Sequence, residues 1–119
     1  MAAERNPVQA RLGGVVTLLV LHYLSREPSY GNQLIDRIAT LTAGALRVNP
    51  NTMYPMLRSL ERRGLIEGQW EHPDRRSRRF YRITPAGETE RRELGRQLAA
   101  RLESITSAVE SIKQELLGR

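Results

Sequence analysis

The residues best suited to recognition chemistry lie between Val48 and Gly64, in the stretch VNPNTMYPMLRSLERRG. Asn49 is a favoured N-cap residue, Pro50 suits the first position of a helix, and Gly64 suits its end. At about 100° per residue, the apolar side chains form one stripe: Met53, Met56, Leu57 and Leu60. The opposite face carries no carboxylate and collects polar and cationic groups: Asn51, Tyr54, Pro55, Arg58 and Arg62. These groups suit contacts with base edges and phosphates, although an isolated helix with this face could equally be solvated.

The charge of the chain is concentrated around this predicted helix. The protein has 119 residues, which suits one domain with an extension, and a formal net charge of +6. Residues 58–82 carry eight arginines against four acidic residues, whereas residues 83–119 carry six basic and six acidic residues. A basic excess tied to one element is typical of proteins that bind polyanions.

Residue types that would support catalysis are scarce. There is no cysteine, so disulfides and Cys-based zinc sites are excluded. The two histidines, His22 and His72, are not spaced for a metal ion, and no glycine-rich phosphate loop or nucleophile elbow is present. The sequence therefore predicts no enzyme, no metal and no cofactor. The longest apolar run, from Val15 to Leu24, is too short to cross a bilayer, which predicts a cytoplasmic protein without a membrane contact.

The elements that must position the predicted third helix come before it. A helix over residues 8–25 is apolar nearly all round, so we expect it to be buried or shared with a partner. Pro28 breaks the chain, and Ser29 is predicted to cap a second helix that reaches about residue 42. Gly31 in its first turn indicates close approach of a bulky group, either a phosphate or the first helix. Residues 46–48 suggest a short strand.

After the third helix the pattern changes to a period of two. Strands are predicted over residues 65–71 and 79–84, with Trp70 meeting Phe80 or Tyr81 across the hairpin. Like charges packed into one turn repel, so the arginines of this hairpin suggest nucleic-acid contact over a merely soluble loop: Arg75, Arg76, Arg78 and Arg79. Three helices followed by a basic hairpin is the order of a winged helix-turn-helix.

The C-terminal segment is predicted to be one long helix from Pro85 to about Leu117. Its apolar residues follow the 4-3 spacing of a coiled-coil seam: Leu98, Leu102, Ile105, Val109, Ile112 and Leu116. Such a narrow seam predicts pairing with a second copy of the chain, and packing within one chain is the alternative. Residues 85–119 contain no aromatic residue, which argues against an aromatic ligand site there.

The chain resembles the PadR family of bacterial transcriptional regulators, of the short type with a single long C-terminal helix. The resemblance covers about residues 12–90 and rests on several short motifs: Tyr30-Gly31, Pro50 with Thr52, Tyr54-Pro55, Leu57, Leu60, Glu61, Gly64-Leu65-Ile66 and Tyr81-Arg82-Ile83-Thr84 before Gly87. Asn51 stands where most relatives would have Gly, and Asn32 where they would have Tyr or Phe. These departures concern the target sequence.

The resemblance implies a mainly α fold with a small β-hairpin. Residues 1–84 would form a winged helix-turn-helix DNA-binding domain and residues 85–119 a dimerisation helix. The implied function is a homodimeric repressor of a (pseudo)palindromic DNA operator, released by a phenolic or drug-like small molecule. Base edges are assigned to Asn51 and Arg58 and phosphates to Thr52 and Tyr54. The full predicted DNA contact set is Tyr30, Asn49, Asn51, Thr52, Tyr54, Pro55, Arg58, Arg62, Arg75, Arg76, Arg78 and Arg79.

One alternative to DNA binding remains open at this point. A winged-helix module could use the same third helix to dock an acidic protein. The two functions differ in salt dependence, because DNA binding releases condensed counterions and weakens more steeply with added salt.

Overall fold

The computed structural model describes residues 7–74 and 77–118, with side chains from residue 14 onward. In chain order the elements of this part are α1 (Pro7–Arg26), β1 (Ser29–Tyr30), α2 (Gly31–Leu41), α3 (Pro50–Arg62), β2 (Ile66–Trp70), β3 (Arg79–Ile83) and α4 (Pro85–Leu117). The fold is mainly helical with one small antiparallel sheet, as the sequence predicts.

One apolar core joins the first three helices to the sheet. The stripe predicted for α3 is confirmed, since Met53, Leu57 and Leu60 are buried and Met56 lies at the edge of the core. The other buried members come from every neighbouring element: Val16, Val20, Leu21, Leu24, Leu34, Ile38, Val48, Leu65, Ile66 and Tyr81. Because its apolar face is anchored in this core, α3 must present its polar face to solvent.

The sheet has three strands in the order β1-β3-β2, whereas the sequence predicts only the hairpin of β2 and β3. The prediction that Ser29 caps the second helix is wrong, because Ser29 is a buried strand residue paired with Tyr81. Tyr30 occupies the N-cap position of α2. Gln33 completes this start, since its Oε1 accepts hydrogen bonds from the Tyr30 backbone N–H and the Ser29 hydroxyl, each 3.0 Å long.

The strand suggested before α3 is also wrong. Residues 46–49 form no regular secondary structure, and the side chain of Val48 is buried in the core instead. Its apolar character therefore reflects packing, not strand pairing.

The predicted partner of Trp70 is wrong as well. The register pairs Trp70 with Arg79, while Gly68 stands opposite Tyr81 and Gln69 opposite Phe80. Trp70 shares the core-facing side of β2 with Ile66, but it lies at the outer end of that side and is 41% exposed. Its indole therefore lines a pocket together with Tyr54 and Arg58 of α3.

The long helix α4 starts and ends close to the predicted positions. Thr84 is its N-cap, and its hydroxyl accepts a hydrogen bond of 3.0 Å from the Gly87 N–H. The first half of α4 packs on α1, where Leu98 is 5% exposed and faces Gly14. The second half extends beyond the core and accounts for the 62 Å long axis of the molecule.

Candidate nucleic-acid interface

The start of α3, and with it the position of the polar face, is set by neighbouring residues of the chain. The Asn49 side-chain oxygen accepts a hydrogen bond of 2.7 Å from the Asn51 N–H, and Pro50 follows at the first helical position. The predicted contact residues on this helix that are exposed are Asn49, Asn51, Thr52, Pro55, Arg58 and Arg62. The arrangement gives one surface of amide, hydroxyl and guanidinium groups above a fixed apolar base.

Pro55 lies inside α3 and leaves one helical hydrogen bond unmade. Proline has no N–H, so the carbonyl of Asn51 receives no i to i−4 bond, at a usual cost of about 3 kcal/mol. Both residues are exposed, so Pro55 lies on the polar face of α3 together with Asn51.

Tyr54 fixes α3 against α2. Its ring lies so close to Gly31 that a Cβ at that position would be 2.5 Å from Cε1. The glycine is therefore needed for the approach of Tyr54, and neither a phosphate nor the first helix is required to explain it. Tyr54 is half-buried, so its role as a phosphate contact remains a prediction.

Arg78 of the hairpin is held by two neighbours. Its guanidinium lies 4.0 Å from the centre of the Tyr30 ring and its Nε is 3.2 Å from a carboxylate oxygen of Glu71. This hydrogen bond from Arg78 keeps the pKa of Glu71 below its ordinary value. Tyr30 in turn packs on Phe80, with ring centres 4.9 Å apart, so the hairpin is joined to the start of α2.

Arg79 makes a second and more enclosed connection. Its Nη2 donates to Glu61 of α3 at 2.6 Å and to the Gly68 carbonyl at 2.8 Å, and its guanidinium lies 4.9 Å from the Trp70 ring centre. A Cβ at Gly68 would be 2.7 Å from the same nitrogen, so the guanidinium can cross β2 only at glycine. The contacts of Arg79 with Glu61 and Gly68 are not predicted from the sequence.

Two further predicted contacts, Arg75 and Arg76, lie outside the described residues. Two backbone N–H groups that precede these arginines donate hydrogen bonds to residues that follow them, and so join the two sides of the turn. The Glu71 N–H donates to the Arg78 carbonyl at 2.7 Å, and the His72 N–H donates to the Ser77 hydroxyl at 2.8 Å.

The predicted dimerisation seam is divided between two environments. Leu98 is already buried against α1, whereas the remaining members are between 40% and 76% exposed in the single chain: Leu102, Ile105, Val109, Ile112 and Leu116. All five lie in the half of α4 that extends beyond the core.

Metal-binding and membrane-spanning features are not found in the described part of the chain. Within residues 7–74 and 77–118, no three histidine or acidic side chains come together as metal ligands. None of the helices described is both long and apolar enough to cross a membrane.

Comparison with known proteins agrees with this geometry. The profile of the Transcriptional regulator PadR-like family matches residues 20–93. Transcriptional regulator Rv3488 of Mycobacterium tuberculosis is 34% identical over 103 residues, which cover 87% of this chain and 83% of that protein.

Solved structures give the same result. A PadR family transcriptional regulator from Eggerthella lenta superposes with a TM-score of 0.66 at 32% identity, over 87% of this chain and 88% of its own. A transcriptional regulator from Clostridium thermocellum superposes with a TM-score of 0.73 over 82% of this chain and 96% of its own; at 24% identity it supports the fold alone. The chain therefore belongs to the PadR-like family of transcriptional regulators, with the winged-helix fold and the DNA-binding regulatory function that this family implies.

Proposed function

We propose that this protein is a cytoplasmic homodimeric repressor that binds a (pseudo)palindromic DNA operator and is released by a small molecule. The observation that carries the proposal is the polar face of α3, which is exposed, free of carboxylates and fixed on a buried apolar stripe. Asn51 and Arg58 would reach base edges in the major groove, and Thr52 and Tyr54 would bind phosphates. The basic hairpin would follow the neighbouring backbone.

The C-terminal half of α4 supports the dimer. Its exposed seam would leave a long apolar stripe in water, and pairing with a second copy would bury it. Residues 1–84 would then act as the DNA-binding domain and residues 85–119 as the dimerisation helix, although the first half of α4 also packs on α1. A two-fold dimer requires two half-sites, which is why the operator is proposed to be (pseudo)palindromic.

The experiment that tests operator binding is recovery of DNA from the native genome on the tagged full chain. We expect enriched fragments to share an inverted repeat whose half-sites are about one helical turn, or about 34 Å, apart. Enrichment without a common sequence would contradict specific recognition.

The dimer is tested separately by Val109→Glu, which places a charge in the seam. We expect monomers or aggregates at micromolar concentration by sedimentation, with loss of operator binding. Ser107→Glu is the matched control, because Ser107 lies on the opposite side of the same helix and should leave the dimer intact. A wild-type chain that sediments as a monomer would contradict the proposal.

A further inference from the structure

The apolar seam of α4 has a heptad pattern that distinguishes between the two orientations in which a second helix can pair with it. Its members alternate between heptad positions d and a: Leu98 (d), Leu102 (a), Ile105 (d), Val109 (a), Ile112 (d) and Leu116 (a). In a parallel pair, where a meets a and d meets d, leucine at a with isoleucine at d favours trimers and tetramers. These residue types predominate here, so a parallel dimer is the poorer match for the seam.

An antiparallel pair suits the same residues better. Reversal of one helix exchanges the spacings of four and three, so each a residue lies opposite a d residue of the second copy. With the two-fold axis level with Ser107, the seam forms layers that take one residue from each copy: Ile105 with Val109, Leu102 with Ile112, and Leu98 with Leu116. Every member of the seam then has an opposite residue.

This register also brings together two charges that have no partner within one chain. Arg101 and Glu115 both occupy position g at the edge of the seam, and neither forms an ion pair with a described residue. They are about 21 Å apart along α4, at 1.5 Å per residue, so they cannot reach one another. In the antiparallel pair g faces g, so Arg101 of each copy lies opposite Glu115 of the other. Ala108, the uncharged g residue between them, meets its own copy at the axis.

A parallel pair offers these two charges no partner. Position g then faces position e of the next heptad, so Arg101 would meet Thr106 and Ala108 would meet Lys113. Glu115 would face a position beyond Leu117, where α4 ends. Charge complementarity therefore favours the antiparallel orientation, as the apolar layers do.

We propose that a second copy pairs antiparallel along residues 98–116 and that reciprocal ion pairs between Arg101 and Glu115 set this orientation. The inference rests on the proposed homodimer and names the residues that select its register and its partner. The two DNA-binding domains would lie at opposite ends of the shared seam, one for each half-site. A related chain without opposite charges at these two positions would be a poorer partner.

Charge exchange on the full chain tests the ion pairs, with the dimer Kd measured by sedimentation. Arg101→Glu and Glu115→Arg should each weaken the homodimer about tenfold, because both contacts across the interface become like-charged. An equimolar mixture of the two variants should recover nearly the wild-type affinity, because the heterodimer contains two contacts of opposite charge. The chain that carries both substitutions should recover as well.

Matched controls reverse one charge elsewhere on the same helix. Arg92→Glu and Glu103→Arg change exposed residues that form no ion pair with a described residue and that do not occupy position g of the seam. Both should leave the dimer Kd unchanged. If the mixture of Arg101→Glu and Glu115→Arg dimerised no better than each variant alone, the proposed ion pairs would be wrong.

The orientation is measured independently by a spin label on a single introduced cysteine, since the sequence contains none. Ser107→Cys and Gln114→Cys place labels one heptad apart on the outer side of α4. In an antiparallel dimer the two labels at 107 lie level with each other, whereas those at 114 are offset by about 21 Å along the axis. The distance between labels should therefore be longer at 114 than at 107.

The outcomes separate this inference from the proposed function. Equal label distances at 107 and 114 would overturn the antiparallel orientation, although the homodimer would stand. A wild-type chain that sediments as a monomer would overturn both. No measurement of the dimer uses DNA, so a failure to recover an operator would reject the proposed DNA recognition and leave this inference as the sedimentation and label distances decide it.

Discussion

The arginines on the polar face of α3 and the two at the start of β3 differ in their surroundings. Arg58 and Arg62 are exposed on α3 and form no ion pair with any described residue. Arg78 and Arg79, on the hairpin, are each held by a carboxylate and by an aromatic ring. Arg58 and Arg62 therefore have no carboxylate partner among the described residues, whereas Arg78 and Arg79 are engaged.

This difference separates arginines that can contact DNA bases from arginines that hold the hairpin in position. A free guanidinium can form a bond to DNA without first losing a protein partner, whereas an engaged one must exchange its carboxylate for a phosphate. Arg79 in particular ties β3 to α3 through Glu61, so it sets where the hairpin stands relative to the polar face. In the sequence Arg75, Arg76, Arg78 and Arg79 look equivalent, but Arg78 and Arg79, the two of these four that the structure describes, have different partners.

Of the substitutions that test this difference, Arg58→Ala is expected to have the largest effect on operator affinity. If Arg58 forms a bidentate contact with guanine, operator affinity should fall by about 1–3 kcal/mol and selectivity should relax at one base position. Fluorescence anisotropy on the operator and on its single-base variants would measure both. Arg92→Ala is the control for loss of one charge. An equal loss on random duplex would show that Arg58 contacts phosphate and does not read a base.

Local patterns explain which parts of the fold were predictable. The cap and the apolar stripe of α3 lie within the helix itself, and the same holds for Thr84 and Pro85 at the start of α4. These elements could be placed from sequence because their determinants are neighbours in the chain.

The errors concern contacts between distant segments. The two-residue strand β1 exists because Ser29 and Tyr30 pair with β3, about fifty residues later, and no local pattern marks it. The exposure of Trp70 depends on how far the hairpin extends past the core. The ion pair of Glu61 with Arg79 had one sequence signal, a glycine inside a strand, which often marks close approach of another group.

The candidate DNA-binding site, like the fold, can be predicted from the sequence only in part. The polar face of α3 followed from the helical wheel, whereas the state of each arginine could not, because it depends on which carboxylate lies nearby in three dimensions.

The next effect is on stability, and it tests Arg79 as a positioning residue. Arg79 and Glu61 have side chains 27% and 31% exposed, so the pair is partly shielded from solvent. Arg79→Gln leaves the Glu61 carboxylate and the Gly68 carbonyl without this donor and should lower the free energy of unfolding by about 1–2 kcal/mol. Chemical denaturation measures it, and the double variant with Glu61→Gln should be less destabilised than the sum of the single variants.

A matched control for Arg79 lies on the same strand. Arg82 is exposed on the opposite face of β3, so Arg82→Gln should change stability by less than about 0.5 kcal/mol. If Arg79→Gln were equally neutral for stability but flattened the salt dependence of DNA binding, Arg79 would be a phosphate contact, and the contrast between the two groups of arginines would be wrong.

The smallest expected effect concerns Arg78 and its competitor Glu71. If Arg78 binds one phosphate, Arg78→Gln should reduce the slope of log affinity against log salt by about 0.9 per protomer, on operator and scrambled duplex alike. Glu71→Gln should act in the opposite direction and modestly strengthen binding to both duplexes, because Arg78 no longer has to leave a carboxylate. Since Arg78 keeps the pKa of Glu71 below its ordinary value, the carboxylate is charged at neutral pH, and this gain should not vary with pH there. Affinities measured from low to moderate salt decide the matter. An unchanged salt slope in Arg78→Gln together with no gain in Glu71→Gln would mean that the ion pair of Arg78 with Glu71 stays intact when DNA binds. If the wild type itself showed only a shallow slope of log affinity against log salt, an acidic protein would be favoured as the partner of this surface.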